Sequence, residues 1–318
     1  MDVIRTAGMD ALVEEVLAGG HGPSPDGLTA TSVFWAHHGT RLAGGTTTYL
    51  NQYVLVRAGA AFGACAFESG ELDAGVCGAL SGSSLGALLR DPARAVRVAA
   101  LDAYLAAVRP HRGDPGAEPV TLPAGPPEVR AVARDTAIAG LLDLRRGARV
   151  ALIGVVDPLV AAIRERGGVP LLCDFRQRAT RWGDPVGADM GEVLATADAV
   201  VATGMTLSNG SFDTVLAHCR ERGVPLVVYA QTGSAVARAF LGAGVSAVSA
   251  EPFPFSQFSA DPTVLYRYRA GVAEGTVAGD SAAGAAVAEG TVAAGSAAAE
   301  GTVAGDSAAG AAVAEGVA

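Results

Sequence analysis

The sequence predicts an α/β protein: an N-terminal α+β domain, a Rossmann-like parallel-sheet domain, and a disordered C-terminal repeat tail. Three observations carry this. Strand and helix patterns are mixed over residues 1–110, short apolar strands alternate with helices from about residue 150, and the composition collapses to small residues near residue 270.

The elements follow in order. An amphipathic helix is expected at about 2–18, because acids sit within the apolar pattern of MDVIRTAGMDALVEEVLAG, which also argues against a signal peptide. Strand-like runs follow at 32–37, 49–57 and 60–67, then helical stretches near 84–90 and 93–108. Asp91 and Pro92 are read as the cap and first-turn proline of the last of these. The Pro- and Gly-rich segment HRGDPGAEPVTLPAGPP (111–127) reads as a linker. Beyond it, strands are expected at 150–153, 169–173, 199–202, 226–229 and 245–248. Helices are expected from Asp157-Pro158 to Arg166, near 190–195, up to Arg222 and at 234–241. Continuous apolar strands alternating with helices imply a parallel sheet covered on both faces. The domains are therefore set at 1–110, linker 111–127, 128–270, and tail 271–318. In the tail the 18-residue segment AEGTVAGDSAAGAAVAEG occurs at 273–290 and again at 299–316, with no apolar side chain larger than valine. Such a segment has little to set against chain entropy.

Composition removes several function classes. Of the formal charge of −9, the six acids of residues 271–318 account for −6, leaving −3 on residues 1–270 and no basic face for nucleic acid. No apolar run is long enough for a membrane span. Cys65, Cys77, Cys173 and Cys219 are widely spaced, as expected of reduced thiols in a cytoplasmic protein. All 23 basic residues are arginine, so no side chain can form an internal aldimine with pyridoxal phosphate, and no GxxxxGK[ST] phosphate loop exists.

The most informative stretch is the strand-to-helix turn TGMTLSNGSFD (203–213), which supplies Thr206, Ser208, Asn209 and Ser211 where a cap needs one such group. Gly204 can relax the backbone past the strand and Gly210 can take positive φ. Either the turn bonds to itself or it presents amides and hydroxyls to a ligand, with Asp213 in the first turn of the following helix.

This stretch resembles the TGTTLxNGTxD turn of the "putative heavy-metal-chelation" domain family, a Rossmann-like domain of unknown function; LIG at 152–154 is a looser match. The stretches CGALSG (77–82) and AALDA (99–103) resemble the partner domain usually fused ahead of it, which has an enolase-N-terminal-like fold. There the family more often shows asparagine than Asp102. The resemblance spans roughly residues 1–270 and implies a site between the two domains connected with metal or metal-chelate handling.

In an open parallel sheet, ligands bind beyond the carboxyl ends of the strands where strand order reverses. That point is expected between the first strand and the fourth-position strand, at the loops 154–158 and 204–211. The loop GVVDP (154–158) lacks the second and third glycines of a dinucleotide fingerprint, and Asp157, read as a helix cap, places negative charge where phosphate would sit, which disfavours NAD(P). Asp174 ends the second strand where an acid grips ribose in nucleotide-binding sheets; it is otherwise a strand-end acid or a partner for Arg176. In FWAHHGTRL, His37 and His38 are weak metal-ligand candidates, of which at most one can face a given site, with Glu68 or Asp102 as a carboxylate partner. The stretch YLNQY (49–53) adds polar and aromatic groups. The segment EPFPFSQF (251–258) reads as an aromatic staple between domains or a lid.

The leading expectation is binding of a small polar ligand or metal chelate in an interdomain cleft through Gly154, Asp174, Gly204, Thr206, Ser208, Asn209, Gly210 and Asp213. The alternative is an enzyme using a nucleoside-type cofactor such as S-adenosylmethionine at the same site; a third reading is a structural or interaction protein. A metal ion is a cofactor option, nucleic acid and membrane partners are not expected, and an oligomer is open.

Overall fold

The N-terminal helix α1 (Met9–Leu17) is followed by strands β1 (Ala30–Thr40), β2 (Tyr49–Ala58) and β3 (Ala61–Phe67), which pair antiparallel in that order. The structure is a computed structural model that describes residues 7–41 and 48–271. The expected start of α1 before residue 7 and the repeat tail beyond residue 271 lie outside the described residues. Helices α2 (Val76–Leu80), α3 (Leu85–Leu89) and α4 (Arg94–Val108) come next. Helix α4 lies against β3 so closely that a Cβ on Gly63 would sit 2.0 Å from the backbone nitrogen of Ala103. The cap expected for α4 is corrected: the N-cap is Ala93, and Asp91 instead accepts the Ala93 N–H at 2.8 Å.

The expected linker is also corrected. It contains strand β4 (Glu118–Leu122), an edge strand of a second, seven-stranded sheet. Its Pro119, which lacks an N–H, is tolerated on an edge. Helix α5 (Pro127–Ala139) then leads into the alternating part: β5 (Arg149–Ile153), α6 (Asp157–Glu165), β6 (Val169–Cys173), α7 (Met190–Thr196), β7 (Ala199–Thr203), α8 (Met205–Asn209) and α9 (Phe212–Arg222). Strand β8 (Leu226–Ala230), α10 (Ser234–Ala239), β9 (Ala247–Ala250) and β10 (Thr263–Arg269) complete it.

The sheet order is β4-β10-β9-β8-β7-β5-β6. Strands β5 to β9 are parallel, and β10 and β4 add antiparallel at one edge. Each parallel strand is apolar on both faces, and the alternation sorts them. Val150, Leu152, Val201 and Val227 pack with α5 and α6 residues such as Ile138, Leu159 and Ile163. Ala151, Ile153, Val200, Ala202 and Val228 face the larger core with Val215, Leu216 and Phe240. That larger core continues into the antiparallel sheet and α4, through Val54, Val56, Leu101 and Tyr104. Both sheets belong to one compact unit, Met1–Gly275. The outer face of the antiparallel sheet is covered by Phe255, which is fully buried against Tyr53 and Leu55, so the aromatic segment acts as a staple.

In the parallel part the order is second-first-third-fourth-fifth, which reverses between β5 and β7. The neighbour of the first strand is therefore the third and not a fourth-position strand, yet the two loops that meet there are the expected ones, after Ile153 and after Thr203.

Candidate functional site

A cavity of about 590 Å³ opens beyond the carboxyl ends of β5 to β9. Its floor is formed by the loops after β5, β6 and β7, one wall by α5, and its cover by Asn51 and Tyr53 of β2 with Gln257 from the aromatic segment. This is the place where a doubly wound sheet leaves its crevice.

Gly154 turns the chain out of β5 at φ +86°, and a Cβ there would lie 2.5 Å from Cγ2 of Thr203. Its carbonyl accepts the Tyr229 hydroxyl at 2.8 Å, which ties β5 to β8 across β7. Asp157 is corrected from cap to first-turn acid: the N-cap of α6 is Val156, and Asp157 accepts the Arg181 N–H at 3.3 Å. Asp174 directly follows β6 and lines the cavity, but its carboxylate is taken by backbone. One oxygen accepts the Val155 N–H at 3.0 Å, and the other accepts Arg176 and Gln177 N–H at 2.8 and 3.0 Å. It binds Arg176 through the main chain, while the Arg176 guanidinium pairs with Glu68.

The polar turn is itself a helical turn, α8. Thr206 is buried and donates to the Thr203 carbonyl at 2.7 Å, and Ser208 donates to the Met205 carbonyl at 2.8 Å. Asn209 accepts both the N–H and the hydroxyl of Ser211, at 3.0 and 2.7 Å. Gly210 takes φ +82°, and Ser211 caps α9 by position with no side-chain bond. Gly204 approaches the Thr232 carbonyl so closely that a Cβ would sit 2.4 Å from it. The surplus hydroxyls therefore serve the turn's own backbone. Gly204, Thr206 and Asn209 still line the cavity alongside Gly154 and Asp174. Ser208 and Gly210 are not among its lining residues. Asp213 points elsewhere, accepting the Met9 N–H at 3.0 Å at the start of α1.

Of the two histidines, His38 lines the cavity and His37 packs edge-on beside Trp35. Burial lowers the His38 pKa. Its Nε2 meets the Thr40 hydroxyl at 3.0 Å, and its Nδ1 is buried without a partner. Glu68 shares the cavity; Asp102 does not, being buried under β3. Among the described residues no group of three or more His, Cys, Asp or Glu side chains is placed to hold one metal ion.

Two lining groups, Arg130 and Arg134, escaped sequence reading. Arg134 reaches the cavity from α5, and its Nε donates to Oδ1 of the fully buried Asp135 at 2.8 Å. Burial works against the Arg134 charge, but Asp135 and Glu251 outweigh it and hold the guanidinium above its ordinary pKa. Burial pushes the Asp135 carboxyl up despite Arg134. Tyr53 is pushed to about 12 by burial. Glu251 accepts the Ser256 N–H and the Gln231 amide, the latter at 2.9 Å. Arg130 donates to the carbonyls of Pro123, Ser256 and Asp261 and to Thr263, which holds the aromatic segment over the cavity. The proline pair before Glu128 was the available signal for α5. The exposed valines 129 and 132 blur its apolar stripe.

Residues 137–250 match the DUF364 family model, described as "Putative heavy-metal chelation". No curated protein matches the chain. A DUF364 protein of unknown function from Desulfitobacterium hafniense DCB-2 superposes with a TM-score of 0.53 at 13% identity, covering 82% of this chain and 96% of that one. A second, from Pyrococcus horikoshii, gives 0.50 at 13% identity, covering 83% and 99%. At such identity the likeness is one of fold. The family match is therefore carried by residues 137–250, and the fold around them is like that of two DUF364 proteins.

Proposed function

We propose that the cavity at the β5–β7 reversal binds a small polar ligand, and that a heavy metal enters it as a chelate already held by small-molecule donors. The observation that carries this is the cavity itself, set at the carboxyl ends of five parallel strands and covered by Asn51 and Tyr53. The donor set favours a chelate over a bare ion. His38 offers one nitrogen, while Glu68 and Asp174 are already paired or bonded to backbone. The nucleoside alternative loses its main support, because the Asp174 oxygens that would grip ribose hold the loops after β5 and β6.

The test is calorimetric titration with Zn²⁺ alone and with Zn²⁺ citrate, on the wild type and on Asn51→Trp, which fills the cavity from β2. Binding of the chelate that Asn51→Trp abolishes is the expected result. A chelate that binds both proteins equally, or neither, would overturn the reading.

A further inference from the structure

The cavity wall holds one guanidinium whose recognition face is not taken up by protein. Arg134 uses Nε on Asp135, and among the described residues its two terminal nitrogens meet no protein acceptor and are not sealed from the cavity. Its side chain is 20% exposed, while that of Asp135 is 1%. The neighbouring charges are committed: Arg176 to Glu68, Arg130 to carbonyls, Asp174 to three backbone N–H groups, and Glu251 to Ser256 and Gln231. A desolvated arginine oriented through Nε by a buried carboxylate presents a planar pair of donors, the geometry that matches a carboxylate in a two-pronged bond.

We propose that Arg134 is the anion-recognition residue of this cavity and that its ligand carries a carboxylate, oriented by Arg134 and flanked by the hydroxyl of Tyr53. This deepens the ligand-binding reading above and rests on it. A carboxylate fits better than a phosphate for two reasons on the wall itself. The loop after β5 puts Asp157 in the first turn of α6 and Pro158, which has no N–H, beside it, so the amide cradle that a phosphate uses is missing. Glu251 also lies near enough to act on the Arg134 charge, and a phosphate group, which can place two charges on one centre, would meet more repulsion there than a single carboxylate group.

The test is titration of acetate, succinate and citrate, their neutral amides, and inorganic phosphate into the full chain. Removing Arg134 by itself strands a buried carboxylate, so the paired variant is Arg134→Gln with Asp135→Asn, its folding checked by thermal melting. Arg134→Lys, which keeps the charge and loses the fork, is the second. At least one acid should bind at least tenfold more tightly than its amide, and the double variant should erase that difference. Arg134→Lys should recover part of it. Equal binding of acid and amide, no binding of any acid, tighter binding of phosphate, or an undiminished acid preference in the double variant would each overturn the proposal. Should Zn²⁺ citrate still bind the double variant and still be blocked by Asn51→Trp, the ligand-binding reading stands and the role of Arg134 falls.

Discussion

The carboxylate of Asp102, in the middle of α4, accepts the N–H of Ala235 at the start of α10 at 2.8 Å, across 133 residues of chain. Its other oxygen accepts the Ala64 N–H of β3 at 2.9 Å. One buried side chain thus joins the antiparallel sheet, the helix behind it and the helix that follows β8. Burial raises its pKa to about 7, although the N–H groups of Ala64, Ala235 and Val236 and the charge of Arg238 pull the other way.

That shift sets a direction for stability against pH. The folded chain holds a proton on Asp102 that the unfolded chain releases near pH 4, so folding binds more protons between about pH 4 and pH 7. The contribution is complete below pH 4 and lost as pH rises through 7. Urea melts from pH 4 to pH 8 should therefore show a falling component in the wild type that is absent in Asp102→Asn, whatever constant offset that variant carries. Parallel pH profiles for the two proteins would refute the assignment.

Gly154→Ala should be far more costly than an alanine at another positive-φ glycine. Both Gly154 and Gly59 have φ > 0, but the added methyl meets Thr203 at 2.5 Å in the first case and open space in the second. Gly59→Ala carries the backbone penalty of about 1–2 kcal/mol. Gly154→Ala should exceed it by at least about 1 kcal/mol of overpacking, measured by denaturant melts of both variants. Equal losses would mean that the loop after β5 can shift without cost.

Asn209→Ala tests what the polar turn does. Asn209 holds the N–H and hydroxyl of Ser211, so its removal should cost the ligand-free protein about 0.5–1.5 kcal/mol, the net worth of such bonds. An unchanged melt of the ligand-free protein would return Asn209 to a ligand-facing role.

Much of this fold is legible in the residues. Strands β5 to β8 are short apolar runs set between helix signals, and β5, β7 and β8 are buried along nearly their whole length. Strand β4 was hidden because Pro119 and the prolines around it read as linker, and only pairing with β10 makes EPVTL a strand. The turn after β7 shows why a site is harder to read than a fold. Composition reveals its hydroxyls, but whether Thr206 and Ser208 donate outward or back to carbonyls three residues earlier depends on the backbone path. Arg134 was missed for a related reason: in the sequence it is one arginine among 23, and its place on the cavity wall with Nε held by Asp135 exists only once α5 lies against the cavity.

His111 should titrate in the sense opposite to Asp102. It is buried between Tyr268, whose hydroxyl lies 2.8 Å from Nδ1, and Ser234, 3.2 Å from Nε2, and it stacks on Tyr266. Burial lowers its pKa to about 3, and the nearby Arg238 charge adds to this, against the pull of Asp114. The folded chain therefore excludes a proton that the unfolded chain binds below about pH 6.5. The stability this provides is full above pH 6.5 and is lost as pH falls toward 3. The imidazole C–H resonances of His111 should accordingly stay fixed from pH 8 to pH 4.5 while an unburied histidine moves. Replacing His111 by Gln should flatten the acid side of the stability profile, from pH 6.5 to pH 4, where Asp102 acts in the opposite direction. A His111 resonance that titrates near pH 6.5 would show that the ring is reached by solvent, and the pairing with Tyr268 and Ser234 would then not persist in solution.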